Sequence, residues 1–79
     1  MAQPELQIKN EIIGKNIRAE RNRVGMSQIA LAKAISVSEP VIVHMETGRT
    51  SQPITRLYAV AEVLGVSIYD LLPAEPVAA

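Results

Sequence analysis

The sequence predicts an all-α fold, a compact domain of five short helices. Apolar residues recur at helical spacing along most of the chain, and no stretch alternates apolar with polar residues as a half-buried strand does. Gly25, Gly48 and Gly65 stand where periodic stretches stop, and Ser27, Ser38 and Ser67 stand where the next ones start. A length of 79 residues allows one domain. A core that small buries only about 60% of the surface of the unfolded chain, which sets stability at a few kcal/mol.

The first helix is expected from about Asn10, as N-cap, to Arg23, with Ile13 and Ile17 on one face and Gly25 as its C-terminal cap. Leu6 and Ile8 either extend it or belong to a loose arm. Ser27 caps the second helix, which points Leu31, Ala32 and Ile35 inward. Ser36 and Val37 make a turn. Ser38 caps the third helix, Pro40 falls in its first turn, where a missing N–H costs nothing, Ile42 and Met45 point inward, and Gly48 ends it. The loop from Arg49 to Gln52 leads to a fourth helix begun by Pro53, whose expected buried stripe is Ile54, Leu57, Val60, Ala61 and Leu64. Ser67 opens a fifth short helix, with Asp70 in capping-box position and Leu71 and Leu72 to bury. Pro73 closes the ordered chain. Residues 1–10 are thus an N-terminal arm or helix extension, 11–72 the domain and 73–79 a flexible tail.

Composition narrows the function. The chain has no cysteine, which excludes disulfides and thiolate metal sites. No apolar run has the length of a signal peptide or a membrane span, so no membrane partner is expected and a cytoplasmic location is. Formal net charge is zero, which does not favour phosphate binding, since that comes from Lys and Arg displacing counterions. The charge is unevenly placed, however. Lys15, Arg18, Arg21 and Arg23 meet only Glu20 within nine residues. Catalysis finds little support. His44 is the single histidine, and a Ser-His-Asp arrangement would need Asp70, which already has a capping role. One histidine and scattered carboxylates argue equally against a metal site. No cofactor and no small-molecule ligand are expected.

Residues 27–50 carry the most information: a short amphipathic helix, a tight turn and a second short helix. That is the spacing of a helix-turn-helix, at about 27–47, in which the second helix enters the DNA major groove. From about Ile13 to Leu72 the chain also resembles the lambda-repressor/Cro (Xre) class of helix-turn-helix domains. IGKNIRAERNRVGMSQ resembles the first helix of that family and the entry to its second. Leu31-Ala32 sits at the family's Leu-Ala, Glu46-Thr47-Gly48-Arg49 resembles the segment that closes the recognition helix, and Leu64-Gly65-Val66-Ser67 with Asp70-Leu71-Leu72 resembles the closing helix.

The resemblance implies a lambda-repressor-like domain with its motif at helices 2 and 3, acting as a small transcriptional regulator, repressor-like, on double-stranded DNA. Ser27 and Gln28 would meet a phosphate at the start of the second helix. The recognition helix, 38–47, starts at Ser38 and would present Glu39, Pro40, Val43 and His44 to the bases, with Val41 and Thr47 beside them. Glu39 suits cytosine N4, the valines and Pro40 suit thymine methyls, and His44 suits guanine N7 or a phosphate. Thr47, Gly48, Arg49 and Thr50 would hold the backbone. A carboxylate in the last turn of a helix is disfavoured by the macrodipole, and the resemblance gives Glu46 a reason to be there, an architectural ion pair with Arg21.

One helix spans few base pairs, so a homodimer on an inverted repeat is expected, with the fifth helix and Tyr69, Leu72 and Pro73 as its surface. The chain departs from its relatives in the apolar character of the third helix. Ser36 also replaces the usual glycine of the turn, at a place where φ > 0 is expected. Ile29 and Ala30, with Pro40, Val41 and Val43, form a candidate apolar face on helices 2 and 3. The alternative function is therefore a helix-turn-helix fold turned to protein binding through that face.

Overall fold

The computed structural model describes residues 4–74. They form four α-helices, α1 (Pro4–Arg23), α2 (Gln28–Ala34), α3 (Glu39–Thr47) and α4 (Ile54–Leu64), followed by a 3-10 turn at Ile68–Asp70. There is no strand among the described residues. The fold is all-α and compact, but the fifth element is not the α-helix expected from the sequence. The Ser67 hydroxyl accepts from the Tyr69 N–H at 3.2 Å, and the Asp70 carboxylate accepts from the Ser67 N–H at 2.9 Å. That reciprocal cap closes a single turn, and Pro73 follows before a second could form.

The first helix begins six residues earlier than expected. Pro4 occupies its first position, where its missing N–H is no loss, and Glu5 favours the positive end of the dipole. Asn10 is therefore inside α1 and caps nothing. Of the two forms left open for residues 1–10, an arm or an extension of the helix, the part from residue 4 onward is helix. Residues 1–3, and the expected tail from 75 to 79, lie outside the described residues. Gly25, at φ 72°, ends the helix, and the Met26 N–H returns to the Arg21 carbonyl at 3.1 Å.

The connection between α2 and α3 is tight. The Ser27 hydroxyl caps α2 by accepting from the Ala30 N–H at 3.0 Å. Ser36 turns the chain at φ 59°, the left-handed conformation that its position in the turn requires. The Val37 N–H then donates to the Ala32 carbonyl at 2.9 Å. Ser38 has the extended backbone of an N-cap, yet its hydroxyl makes no capping bond.

The core lies where the elements converge. Ile17 of α1, Leu31 of α2, Ile42 of α3, Val60 of α4 and Leu71 beyond the 3-10 turn are completely buried. Ile54 does not join the stripe predicted for α4. It is 54% exposed at the first position of the helix, whereas Leu57, Val60, Ala61 and Leu64 are buried. Leu72 is half-buried at the margin. No helix among the described residues is long and apolar enough to cross a membrane.

Candidate nucleic-acid interface

At 100° per residue the side chains of α3 divide into two faces. Ile42, Met45 and Glu46 are buried toward the core, while Glu39, Pro40, Val43 and Thr47 are exposed on the opposite side, with His44 half-buried at its edge. Val41 falls on the inner arc, half-buried and packed against the core. Of the two valines expected near the bases, only Val43 is exposed. Thr47 is exposed but uses its hydroxyl within the helix, donating to the Val43 carbonyl at 2.9 Å.

The orientation of α3 is fixed by bare backbone and by one buried polar network. Gly14, in the middle of α1, packs directly under the end of α3. A side-chain carbon there would lie 2.6 Å from the Met45 carbonyl oxygen and closer still to that of Glu46. Gly48, the left-handed cap of α3 at φ 72°, presses on α1 in the same way, with space for a side chain closed by Glu11 at 2.7 Å. Two glycines thus let the backbones of α1 and α3 touch.

Beside them, the Arg21 guanidinium grips Glu46 with a two-pronged contact, Nε to Oε2 at 2.6 Å and Nη2 to Oε1 at 3.1 Å. Its Nη1 donates to the Met26 carbonyl at 2.8 Å. Gln28 Nε2 donates to Glu46 Oε1 at 3.1 Å. Both charged residues are buried, and no buried side-chain nitrogen or oxygen among the described residues lacks a partner. The Arg21 pKa is raised above its ordinary value, chiefly by hydrogen bonding to Glu46, against the desolvation of burial and with the carboxylate's charge adding in the same direction. One carboxylate therefore ties α1, the start of α2 and the end of α3 together. Gln28 stands differently from Ser27. Its amide turns inward to that carboxylate, and it is Ser27 that stays exposed at the helix start.

After α3 the loop carrying Arg49 and Thr50, both exposed, is fastened from two sides. Gln7 Nε2 donates to the Gly48 carbonyl at 3.3 Å and Asn10 Nδ2 to Ser51 Oγ at 3.1 Å, both from α1. On the other side Gln52 Nε2 donates to Thr50 Oγ1 at 3.0 Å, and Arg56 Nη1 in turn donates to Gln52 Oε1 at 2.7 Å. These fasteners were not found by sequence reasoning, and neither was Gly14. A glycine inside a helix costs about 1 kcal/mol relative to alanine, and that cost was the available signal. Lys15 and Arg18 are exposed on α1, and Arg23 is exposed and paired with Glu20 at 2.6 Å. Among the described residues no group of three or more His, Cys, Asp or Glu side chains is placed to hold a metal ion.

Comparison with known proteins agrees with this geometry. A family model described as helix-turn-helix matches residues 17–71. The uncharacterized HTH-type transcriptional regulator YazB of Bacillus subtilis (strain 168) is 34% identical over 65 residues, covering 82% of this chain and 94% of that protein. Among solved structures, the clp gene regulator ClgR from C. glutamicum superimposes with a TM-score of 0.76 at 30% identity, covering 87% of this chain and 86% of that one. Hydroxypropylphosphonic acid epoxidase from S. wedmorenis superimposes with a TM-score of 0.77 at 27% identity, over 82% of this chain. This chain spans only 35% of the epoxidase's length, so the likeness concerns one part of that enzyme. The match over most of the chain, with a regulator of nearly the same length, establishes the kinship: the protein belongs to the helix-turn-helix family of the lambda-repressor/Cro (Xre) type.

Proposed function

We propose that this protein is a sequence-specific, double-stranded DNA-binding transcriptional regulator whose helix-turn-helix is formed by α2 and α3. The observation that carries the reading is the division of α3. It buries Ile42, Met45 and Glu46 and leaves Glu39, Pro40 and Val43 exposed, followed at once by exposed Arg49 and Thr50 on a fastened loop. In this reading Glu39, Pro40, Val43 and His44 face base edges, and Arg49 and Thr50, with Ser27, Ser38 and Thr47, stand toward phosphates. Gln28 acts through Glu46, and Val41 belongs to the core side. Because one α3 spans few base pairs, a homodimer reading an inverted repeat is the form proposed.

Selection of bound sequences from a random duplex pool tests this directly. The expected result is an inverted repeat with half-sites about one helical turn apart, bound with affinity that falls steeply as salt rises. Failure to enrich any sequence at low salt, with helicity intact, would sink the reading. One observation favours a second one. Ile29 of α2 is 51% exposed, with Ala30 exposed beside it, and an apolar surface on α2 and α3 suits a protein partner. The same failed selection would point there.

A further inference from the structure

Beyond its DNA reading, and resting on the homodimer proposed there for which it offers a surface, α1 carries a face that matches itself. Glu5, Ile8, Ile12 and Lys15 are all exposed, and at 100° per residue they share an arc of about 80° on the side of α1 away from Ile17 and Gly14. Ile8 is 55% exposed and Ile12 36%, although both lie in the interior of a 20-residue helix. The spacings along the chain are three, four and three residues. Glu5 with Lys15, and Ile8 with Ile12, therefore lie symmetrically about the level of Asn10. All four precede residue 17, where the match to the helix-turn-helix family model begins.

We propose that the occupant of this face is a second copy of the chain, docked with its α1 antiparallel across a two-fold axis at the level of Asn10. In that arrangement Ile8 of each copy meets Ile12 of the other, and Glu5 of each meets Lys15 of the other. A two-fold contact uses the same patch on both subunits, so only a patch that reads acid, apolar, apolar, base about its own centre satisfies itself in this way. The three-four-three spacing is also that of the seam between paired helices, where two such positions recur in every seven residues, about one per turn. Of the other exposed large apolar side chains, Leu6 lies off this arc of α1, Val24 follows the helix, Ile29 and Val43 lie on α2 and α3, and Ile54, Tyr58 and Tyr69 lie on α4 or beyond it. Four residues per copy bury less than the ~1,200 Å² of a standard interface, so the association is weak, with a Kd on the order of 10–100 μM.

Sedimentation equilibrium of the full chain over a range spanning that Kd tests the assignment, with helicity followed by circular dichroism. The wild type should shift from monomer to dimer as concentration rises, and Ile12→Asp should remain monomeric. Glu5→Lys and Lys15→Glu alone should each weaken association about tenfold, because the two-fold axis counts each change twice. Mixed together, these two single variants should form a heterodimer at least as tight as the wild-type dimer, since the mixture restores opposite charges at every contact. Tyr58→Asp and Tyr69→Asp should leave association unchanged. A wild-type chain that stays monomeric, a mixture no tighter than its parents, or a dimer abolished by Tyr58→Asp or Tyr69→Asp overturns the proposal.

Discussion

Gly14 of α1 lies against the carbonyls of Met45 and Glu46, so the last turn of α3 rests on helix backbone with no side chain between. Alanine is the better helix former by about 1 kcal/mol, and on an open helix surface Gly14→Ala would stabilise. Here the added carbon meets backbone atoms that cannot rotate away, and such overpacking costs typically 1–3 kcal/mol. The expected outcome is a net loss, a melting temperature lower by about 4–15 °C. Thermal unfolding followed by circular dichroism checks it, and an unchanged or raised melting temperature contradicts the close approach.

Removing Arg21 leaves Glu46 buried without its counter-charge and Gln28 as its remaining side-chain donor. Loss of one partner of a buried pair costs about 3–5 kcal/mol, which for a domain this small is most of its stability. Arg21→Ala should therefore unfold most of the population near room temperature, while Arg18→Ala, at an exposed position, should change stability by no more than about 0.5 kcal/mol. Urea midpoints of the two variants provide the comparison. Similar small effects would mean that the pair contributes little.

Ser36 holds φ at 59°, a conformation that costs a non-glycine residue about 1–2 kcal/mol. Glycine adopts it freely but loses more entropy on folding, by about 0.5–1 kcal/mol. Ser36→Gly should leave a net gain of up to about 1 kcal/mol, visible as a rise of a few degrees in the melting temperature. A fall would show that the serine side chain supplies more than its backbone costs.

On DNA the loop and the helix should behave differently. Arg49→Ala is expected to weaken binding alike on every sequence and to lower the slope of log affinity against log salt by about 1. Val43→Ala should instead relax preference at a single base pair, by about 1 kcal/mol. Binding isotherms on a panel of singly substituted duplexes, repeated at several salt concentrations, separate the two patterns. Identical profiles for both variants would remove α3 from the groove.

Much of the fold could be read from the chain because its punctuation is local. Ser27, Gly48, Gly65 and the pairing of Ser67 with Asp70 each act within one turn, and α2, α3 and α4 fall within a residue of their expected bounds. The start of α1 is not legible in the pattern, because Ile8 and Ile12 face outward and do not continue the core spacing of Ile13 and Ile17, which points to Asn10 as the beginning. Ile54 and Val41 were assigned by their apolar character, whereas burial depends on where a neighbouring element passes. Gln28 and Gly14 required the third dimension. Each is explained by the end of α3, which lies far from both in sequence.

The side of α1 turned toward the domain holds the Arg49 loop through Gln7 and Asn10, on the same turns whose far side carries Ile8 and Ile12. A rod gripped on one flank transmits displacement to the other. Sliding α1 by one turn relative to anything lying along its outer flank would carry the loop about 5.4 Å along with it. The register of the first helix is in that sense a ruler for the cation at its tip.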